Sequence, residues 1–379
     1  MAFNSSRVTF SRLGFAHANQ AGAALVCPAG LPILSRTIQF RIDADPEMVR
    51  FGILGFGLHA AKRLMPGFQQ AKNARVTALS RRDRERARAS ARQYGIPLAF
   101  DSPAELCRSP EVDAIFVATP NACHLEHVLL ALASGKPVLC EKPMAMGAIQ
   151  CQAMVEAARQ TQLPLGVAQV FRFADSIVRL RERLLGGQIG NPVFARVEFS
   201  YRGFQHPRSW IKNRSIAGGG PITDVGVHCV DVLRYVLQDE VTRVSARAFP
   251  DQPSDEVEAS GMLTLEFRQR TLATVLVSTR TEYRTPLEFV GETGALRADN
   301  GLSVERSVFL ELRRDGAVAE REEVTNRLAH ARQVDAFAAA VEGRSNFPVP
   351  GEEGWRDQLV LDAAYRSLKT GKSEPVPDP

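Results

Sequence analysis

The chain has 379 residues, of which 45% are hydrophobic and 23% are charged, and it carries a formal net charge of +5. This is enough apolar sequence for two globular domains with cores of their own. No apolar run is long enough to cross a bilayer, so we expect no membrane partner. The one arginine cluster, at residues 81–92, is interleaved with alanine and acids and accompanies no nucleic-acid-binding motif. We therefore expect no nucleic-acid partner.

The cysteines are scattered and form no C-x-x-C pair. They are Cys27, Cys107, Cys123, Cys140, Cys151 and Cys229. Such scatter in a chain of this size is typical of free thiols in a reducing compartment, so we expect a cytoplasmic protein.

The first 47 residues differ from the rest of the chain. Residues 1–42 contain no Asp or Glu, carry four arginines and show no helical or strand period. A transit peptide has this composition. Because Met48 directly precedes the first predicted strand, the stretch is also explained by an over-extended start. We favour the second explanation and predict that residues 1–47 are a disordered or non-native extension.

From Met48 onward, short apolar runs alternate with amphipathic stretches. The predicted strands are Val49–Leu54, Arg75–Ser80, Asp113–Ala118, Pro137–Cys140 and Leu165–Gln169. The predicted helices are Leu58–Gln70, Asp83–Tyr94, Asn121–Ser134 and Gly147–Gln160. This alternation predicts a doubly wound parallel sheet, a Rossmann domain over residues 48–170, with a ligand at the carboxyl edge of the strands.

After Arg172 the pattern changes to consecutive strands. The strands predicted here include Val193–Tyr201, Glu256–Arg268 and Thr271–Thr279. The predicted helices are Ala174–Leu185, one from the glycine-rich segment 217–221 to about Leu237, Leu328–Glu342 and Glu352–Leu368. The pattern indicates an α+β domain over residues 171–379 with a large, mostly antiparallel open sheet.

A glycine turn follows the first strand and leads into a helix. Its residues are Gly55, Phe56, Gly57, Leu58, His59 and Ala60. In this position backbone N–H groups can face a pyrophosphate, so the turn predicts a dinucleotide cofactor.

The end of the second strand bears on which dinucleotide is bound. An acid there would bind the ribose 2′-hydroxyl of NAD, but the chain has Ser80, Arg81 and Arg82. A hydroxyl and two guanidinium groups suit a 2′-phosphate, so we predict NADP as the preferred cofactor. Asp83 leaves NAD as the alternative.

Two further turns lie at the same edge. The candidate cofactor contacts in them are Thr119, Pro120, Asn121, His124, Glu141 and Lys142. Lys142 would meet the reacting end of a nicotinamide, where it could bind a substrate hydroxyl or exchange its proton. His124 and His127 lack a third ligand, so we predict no metal site.

Asp224, His228 and Asp231 are spaced to form one stripe of the helix that runs to about Leu237. If the stripe faces outward, these residues are a hydrated surface. If it faces the nicotinamide, His228 becomes the acid/base and Asp224 binds the substrate hydroxyl.

Several long motifs, in this order, resemble the glucose–fructose oxidoreductase / inositol dehydrogenase / rhizopine catabolism (Gfo/Idh/MocA) family. They are residues 55–60, 112–121, 135–143 and 217–228, with a C-terminal pattern around residues 337–341, 351–354 and 364–367. The resemblance implies a Rossmann domain, an open-sheet domain through which homo-oligomers form, and reversible hydride transfer on sugars, cyclitols or related carbonyl compounds.

Carried over residue by residue, the resemblance makes Lys142, Asp224 and His228 the catalytic and substrate-binding groups. Arg172 matches the family's arginine after the last Rossmann strand. The pair Ser209-Trp210 resembles that of reductases acting on anhydro-sugars or dihydrodiols, which makes Trp210 a candidate substrate contact. At Arg81 the chain departs from the NAD-using members, which carry an acid there.

The sequence thus predicts an NAD(P)-dependent dehydrogenase or reductase that acts on a secondary hydroxyl or ketone of a small carbohydrate-like molecule. A dimer or tetramer is expected. Two alternatives remain: a glycosidase that retains its NAD and oxidises the substrate transiently, and a non-catalytic dinucleotide-binding sensor.

Overall fold

Residues 48–203, 209–252 and 254–379 are described by the structure, a computed structural model. The extension predicted over residues 1–47 and the cysteine within it lie outside these ranges. The five other cysteines are free. None of the helices in the described residues combines the length and the apolar character that a membrane span requires.

The first sheet has six parallel strands in the order β3-β2-β1-β4-β5-β6. The strands are β1 Val49–Leu54, β2 Ala74–Ser80, β3 Leu98–Phe100, β4 Ala114–Val117, β5 Val138–Cys140 and β6 Leu165–Val167. Every residue of β4 and β5 is buried, as expected for central parallel strands covered on both faces. The predicted Rossmann sheet is confirmed.

Helices connect these strands. They are α1 Met65–Gln70, α2 Arg84–Tyr94, α3 Pro103–Arg108, α4 His124–Ala133 and α5 Ala148–Thr161. The predicted first helix differs from the structure, because a π-helical turn over Ala60–Leu64 precedes α1. The short elements β3 and α3 were not predicted. A three-residue, half-buried strand at the sheet edge is too short to show a period.

The second sheet has ten strands. It follows the order β15-β14-β13-β12-β7-β10-β9-β8-β16, and β11 pairs with β7. The strands are β7 Pro192–Arg202, β8 Val241–Phe249, β9 Ser260–Phe267, β10 Leu272–Ser278, β11 Arg280–Arg284, β12 Leu287–Gly291, β13 Gly294–Ala298, β14 Ser307–Arg314, β15 Ala317–Thr325 and β16 Glu374–Pro375. The predicted mostly antiparallel sheet is confirmed, with one parallel pair, β7 and β10.

Six further helices follow β6 in the described residues. They are α6 Asp175–Leu185, α7 Arg214–Ala217, α8 Pro221–Asp224, α9 Gly226–Leu237, α10 Ala329–Val341 and α11 Gly351–Thr370. The single helix predicted up to about Leu237 is wrong. It breaks at Val225, so Asp224 ends α8 whereas His228 lies in α9.

Two apolar cores support the fold. One lies around the Rossmann sheet, and the other lies between the second sheet and α6, α9 and α11. The chain returns to the first core near its end, where Val334 and Phe337 of α10 are buried with Phe51 of β1. The division at residue 170 stays a prediction, with α10 as a late addition to the first core.

Candidate active site

The glycine turn is held between the ends of two strands. Gly55 has φ +82°, and a Cβ there would lie 2.6 Å from Thr119 Cγ2 and 2.8 Å from the Thr119 backbone. Phe56 N–H donates to Ser80 O at 2.9 Å. No other residue type fits at position 55, because both the left-handed conformation and the close approach require glycine.

Gly57, in contrast, faces open space. A Cβ at this position would have only one neighbour within 4 Å, Gly55 O at 3.9 Å. The turn is followed by the helical segment that begins at Ala60. A pyrophosphate needs such a backbone surface without side chains, so the residues present fit a dinucleotide.

Ser80, Arg81 and Arg82 lie next to this turn. Arg81 donates from a guanidinium nitrogen to Ser90 Oγ of α2 at 2.8 Å, and Arg82 is exposed. Asp83 caps α2 by accepting from Arg86 N–H at 2.9 Å. Asp83, the one acid of residues 80–83, is therefore occupied as the cap of the helix N-terminus.

His124 and Asn121 form hydrogen bonds with backbone carbonyl groups. The His124 ring is fully buried between the carbonyl oxygens of Thr119 and Pro143, at 2.9 and 3.0 Å. Asn121 donates to Ala217 O at 2.8 Å. Burial lowers the pKa of His124. The structure thus gives both residues protein partners, and direct cofactor contacts from them stay predictions.

Glu141 lies between two basic groups. His59 Nε2 donates to Glu141 Oε1 at 2.8 Å, and Lys142 follows in the chain. Burial alone would raise the pKa of Glu141, but His59 and Lys142 lower it to about 2. The carboxylate is therefore charged at neutral pH and ties the glycine turn to the end of β5.

Lys142 meets Asp224 of the second domain. Its Nζ donates to Asp224 O at 2.7 Å and to Asp224 Oδ1 at 3.3 Å. Tyr201 OH of β7 donates to Asp224 Oδ2 at 2.6 Å. Both side chains of the pair are mostly buried, with 14% and 23% exposed. Two residues that the sequence places 82 positions apart thus lie in direct contact.

His228 is buried beside this pair. Only 7% of the residue is exposed, so the hydrated-surface interpretation is wrong. Burial and the positive charge of Lys142 lower the pKa of His228 well below its ordinary value, which keeps the ring neutral at pH 7. Its Nδ1 lies 3.1 Å from Gln169 Oε1.

Asp231 and Arg172 belong to an ion-pair cluster next to His228. Arg172 contacts Asp231 Oδ1 at 2.6 Å and Glu353 Oε2 at 2.7 Å. Asp231 pairs with Arg172 whereas Asp224 contacts Lys142, and the helix break at Val225 lies between the two aspartates. A contact between Arg172 and the cofactor stays a prediction.

A small cleft of about 40 Å³ opens beside Asp224. Tyr201, Ile211 and Lys212 contribute to its walls. Trp210 lies in the same 3₁₀ turn, Ser209–Lys212, as the last two. The turn thus contributes to the wall of a cleft that reaches Asp224, and a direct substrate contact from Trp210 stays a prediction.

Tyr201 and Gln169 are residues of this site that no motif of the sequence indicates. Gln169 could have been identified, because it follows β6 at the edge where the other candidates lie. Tyr201 had no local signal. Its contact with Asp224 depends on how β7 packs against the break between α8 and α9.

The fold and the site define an NAD(P)-dependent oxidoreductase with a Rossmann domain and an open-sheet domain. Comparison with known proteins gives the family. Residues 49–169 match the oxidoreductase family with an NAD-binding Rossmann fold, Gfo/Idh/MocA, and residues 177–297 match the Gfo/Idh/MocA C-terminal domain. The chain belongs to this family.

Individual proteins agree with this assignment. The chain is 30% identical to 1,5-anhydro-D-fructose reductase of Ensifer adhaerens, over 87% of the chain and 99% of that protein. It is 29% identical to D-xylose 1-dehydrogenase (NADP(+)) 2 of Haloferax volcanii, over 85% and 98%. Aldose-aldose oxidoreductase from Caulobacter crescentus superposes with a TM-score of 0.80 at 25% identity, covering 87% of the chain and all of that structure.

The two glycines of the turn give a first prediction. Gly57→Ala should fold as stably as the wild type, because its Cβ enters open space, but should bind NADP at least about tenfold more weakly. Gly55→Ala should lose stability as well, because its Cβ collides with the Thr119 backbone. Thermal unfolding and cofactor titration of both variants check this. Wild-type NADP affinity in Gly57→Ala would show that the turn does not contact the pyrophosphate.

Proposed function

We propose that the protein is an NADP(H)-preferring oxidoreductase that acts on a secondary hydroxyl or ketone of a sugar, cyclitol or related small molecule. The observation that carries the proposal is the contact of Lys142 with Asp224 beside the neutral ring of His228. Lys142 follows the carboxyl end of β5, where a dinucleotide on the glycine turn would present its nicotinamide, and it contacts Asp224 there. When bound, the nicotinamide accepts or supplies the hydride.

The three side chains have distinct tasks. Lys142 presents N–H donors and a positive charge, which bind the reacting oxygen and stabilise negative charge on it. Asp224 holds Lys142 and can accept a hydrogen bond from a substrate hydroxyl. His228 is neutral, so it can take up the hydroxyl proton during oxidation and return it during reduction.

The substrate class is inferred from the relatives and from the cleft. Two relatives are named for a sugar derivative and a sugar, 1,5-anhydro-D-fructose and D-xylose. The walls of the cleft beside Asp224 include Lys212 and Asp255, whose polar groups can bind a substrate hydroxyl. Trp210 in the same turn is the candidate for packing against a sugar ring.

The catalytic assignment is tested by Lys142→Met and His228→Asn. Each should lower kcat by on the order of a hundredfold, because orientation and proton transfer are lost, with NADP affinity nearly unchanged. The measurements are NADPH oxidation with a panel of keto-sugars and cofactor titration. Lys136→Met is the matched control, because Lys136 lies at the opposite end of β5 and donates to Val112 O.

Turnover within a few-fold of wild type in both active-site variants would contradict the assignment. Product formation without net NADPH oxidation would instead point to the glycosidase that retains its cofactor.

Cofactor choice is tested at Arg81 and Arg82. Arg81→Asp and Arg82→Asp should each weaken NADP binding about tenfold or more, because a carboxylate repels the 2′-phosphate, and should leave or improve NAD binding. Arg88→Asp makes the same charge change farther along α2 and is the control. Tighter binding of NAD than of NADP by the wild type would contradict the preference.

We further propose that a second copy of the chain covers the open face of the large sheet. This face carries apolar side chains that are 42–49% exposed: Phe194, Met262, Leu272 and Leu276. They form two cross-strand pairs, Leu276 with Met262 and Leu272 with Phe194. A contiguous apolar patch on a sheet is typical of an interface.

The double variant Met262→Glu, Leu276→Glu should therefore dissociate the oligomer to monomers, because the interface could form only by burying the two introduced carboxylates. Ile149→Glu on α5, where the side chain is 85% exposed, is the control and should leave the assembly unchanged. Sedimentation velocity at micromolar concentration measures the state. A monomeric wild type, or an unchanged oligomer in the double variant, would refute the proposed interface.

A further inference from the structure

A buried hydrogen-bonded chain leads away from His228. His228 Nδ1 lies 3.1 Å from Gln169 Oε1, and Gln169 Nε2 donates to Asp357 Oδ2 at 2.8 Å. Arg234 then donates to Asp357 Oδ1 at 2.7 Å. Each of the four residues is at most 7% exposed. The chain links the proposed proton-transfer group to the ion-pair cluster of α9 and α11.

The groups on either side of Gln169 determine how its amide is oriented. When Asp357 is ionised it only accepts, so the amide nitrogen of Gln169 faces Asp357 and the amide oxygen faces His228. An amide oxygen also only accepts, so the hydrogen on the imidazole must be on Nδ1. A neutral imidazole carries one hydrogen, which leaves the lone pair on Nε2.

Two aromatic rings restrict the imidazole. The Phe171 ring meets it edge to face with centroids 4.9 Å apart, and the Phe199 ring lies 6.1 Å away at an interplanar angle of 22°. A ring flip that exchanges the two nitrogens would have to break the bond to Gln169 within this packing. Ring orientation and tautomer are thus set by the same contacts.

We propose that Gln169 is a positioning residue that fixes His228 in the Nδ1–H tautomer, so that Nε2 is the atom that exchanges the proton with the substrate hydroxyl. The assignment rests on the proposed function for the role of Nε2. In the oxidative direction Nε2 gains the hydroxyl proton, and Nδ1–H keeps its bond to Gln169. In the reductive direction Nε2 returns that proton, so no further proton donor is needed.

The orientation of the Gln169 amide depends on the charge of Asp357. Burial and Asp231 raise the pKa of Asp357 well above its usual range, although Arg234 and Arg172 oppose that rise. A protonated Asp357 would donate to Gln169 and turn its amide around. The titratable groups that act electrostatically on His228 are Lys142, Glu141, Asp224 and His59. The tautomer is therefore to be measured at about pH 8, where Asp357 has a greater tendency to be ionised than at neutral pH.

The direct test is to determine the tautomer of His228 by ¹⁵N NMR. The sample is the full chain labelled at histidine, without cofactor or substrate. The spectrum of His228→Asn assigns the signal. We expect a protonated Nδ1 and an unprotonated Nε2 at about pH 8. A wild-type signal with the hydrogen on Nε2 would overturn the proposal. Because no turnover is involved, this result stands apart from any failure of the proposed function.

Two variants of similar size separate positioning from packing. Gln169→Met removes the acceptor, so the fixed Nδ1–H signal should be lost and kcat should fall about tenfold or more, with KM and NADP affinity changed little. Gln169→Glu should rescue both properties. Two adjacent carboxyl groups share a proton, so one oxygen of the introduced carboxyl group can bond to Asp357 while the other accepts from Nδ1.

Gln333→Met replaces another buried glutamine, in α10, and is the control for packing. Equal losses of kcat in Gln169→Met and Gln169→Glu, or an unchanged tautomer and kcat in Gln169→Met, would overturn the proposal. If Gln169→Met does not fold, the wild-type spectrum and the Gln169→Glu variant still decide it.

Discussion

The hydrogen bonds from Lys142 to Asp224 are the interaction on which the site depends. They join the end of β5 in the Rossmann sheet to the break between α8 and α9 in the second domain. A further contact holds the second end of this connection. Glu258 accepts from the N–H groups of Gly220 and Ile222, at 2.9 and 3.1 Å, and so anchors the start of α8. The lysine and the aspartate are consequently placed by secondary structure, as preorganised catalysis requires.

Charge is arranged in alternation around this contact. Glu141 is charged at neutral pH, because its pKa is lowered to about 2, and His228 is neutral because burial and Lys142 disfavour its protonated form. Charges act strongly at these distances where water is excluded. A negative charge developing on a substrate oxygen would therefore be stabilised by Lys142, while the neutral imidazole stays able to accept a proton.

Much of the architecture could be predicted from the sequence, because fully buried parallel strands appear as short apolar runs separated by helical stretches. The strand β1 was predicted with its observed bounds, Val49–Leu54. The strand β3 could not be predicted, because three half-buried residues carry no period. The strands β7 and β10 are far apart in the sequence, and alternating residues within each strand do not reveal that the two pair in parallel.

The site was only partly predictable for a similar reason. Motif residues such as Gly55, Lys142 and His228 lie at strand ends or in a recognisable segment. Tyr201 and Asp357 act through contacts between distant elements, at 2.6 Å to Asp224 and 2.8 Å to Gln169. The break at Val225 was also missed, because Asp224 and His228 have helical spacing whether or not the helix is continuous.

The central claim is that Lys142, Asp224 and His228 surround the reacting carbon at the nicotinamide. A crystal structure of the full chain with bound NADP tests it most directly. The account predicts that the pyrophosphate contacts the backbone of Gly57. It also predicts that the nicotinamide C4 lies about 3–4 Å from the position of the substrate carbon, between Lys142 and His228. A nicotinamide that contacts none of these three residues would contradict the account.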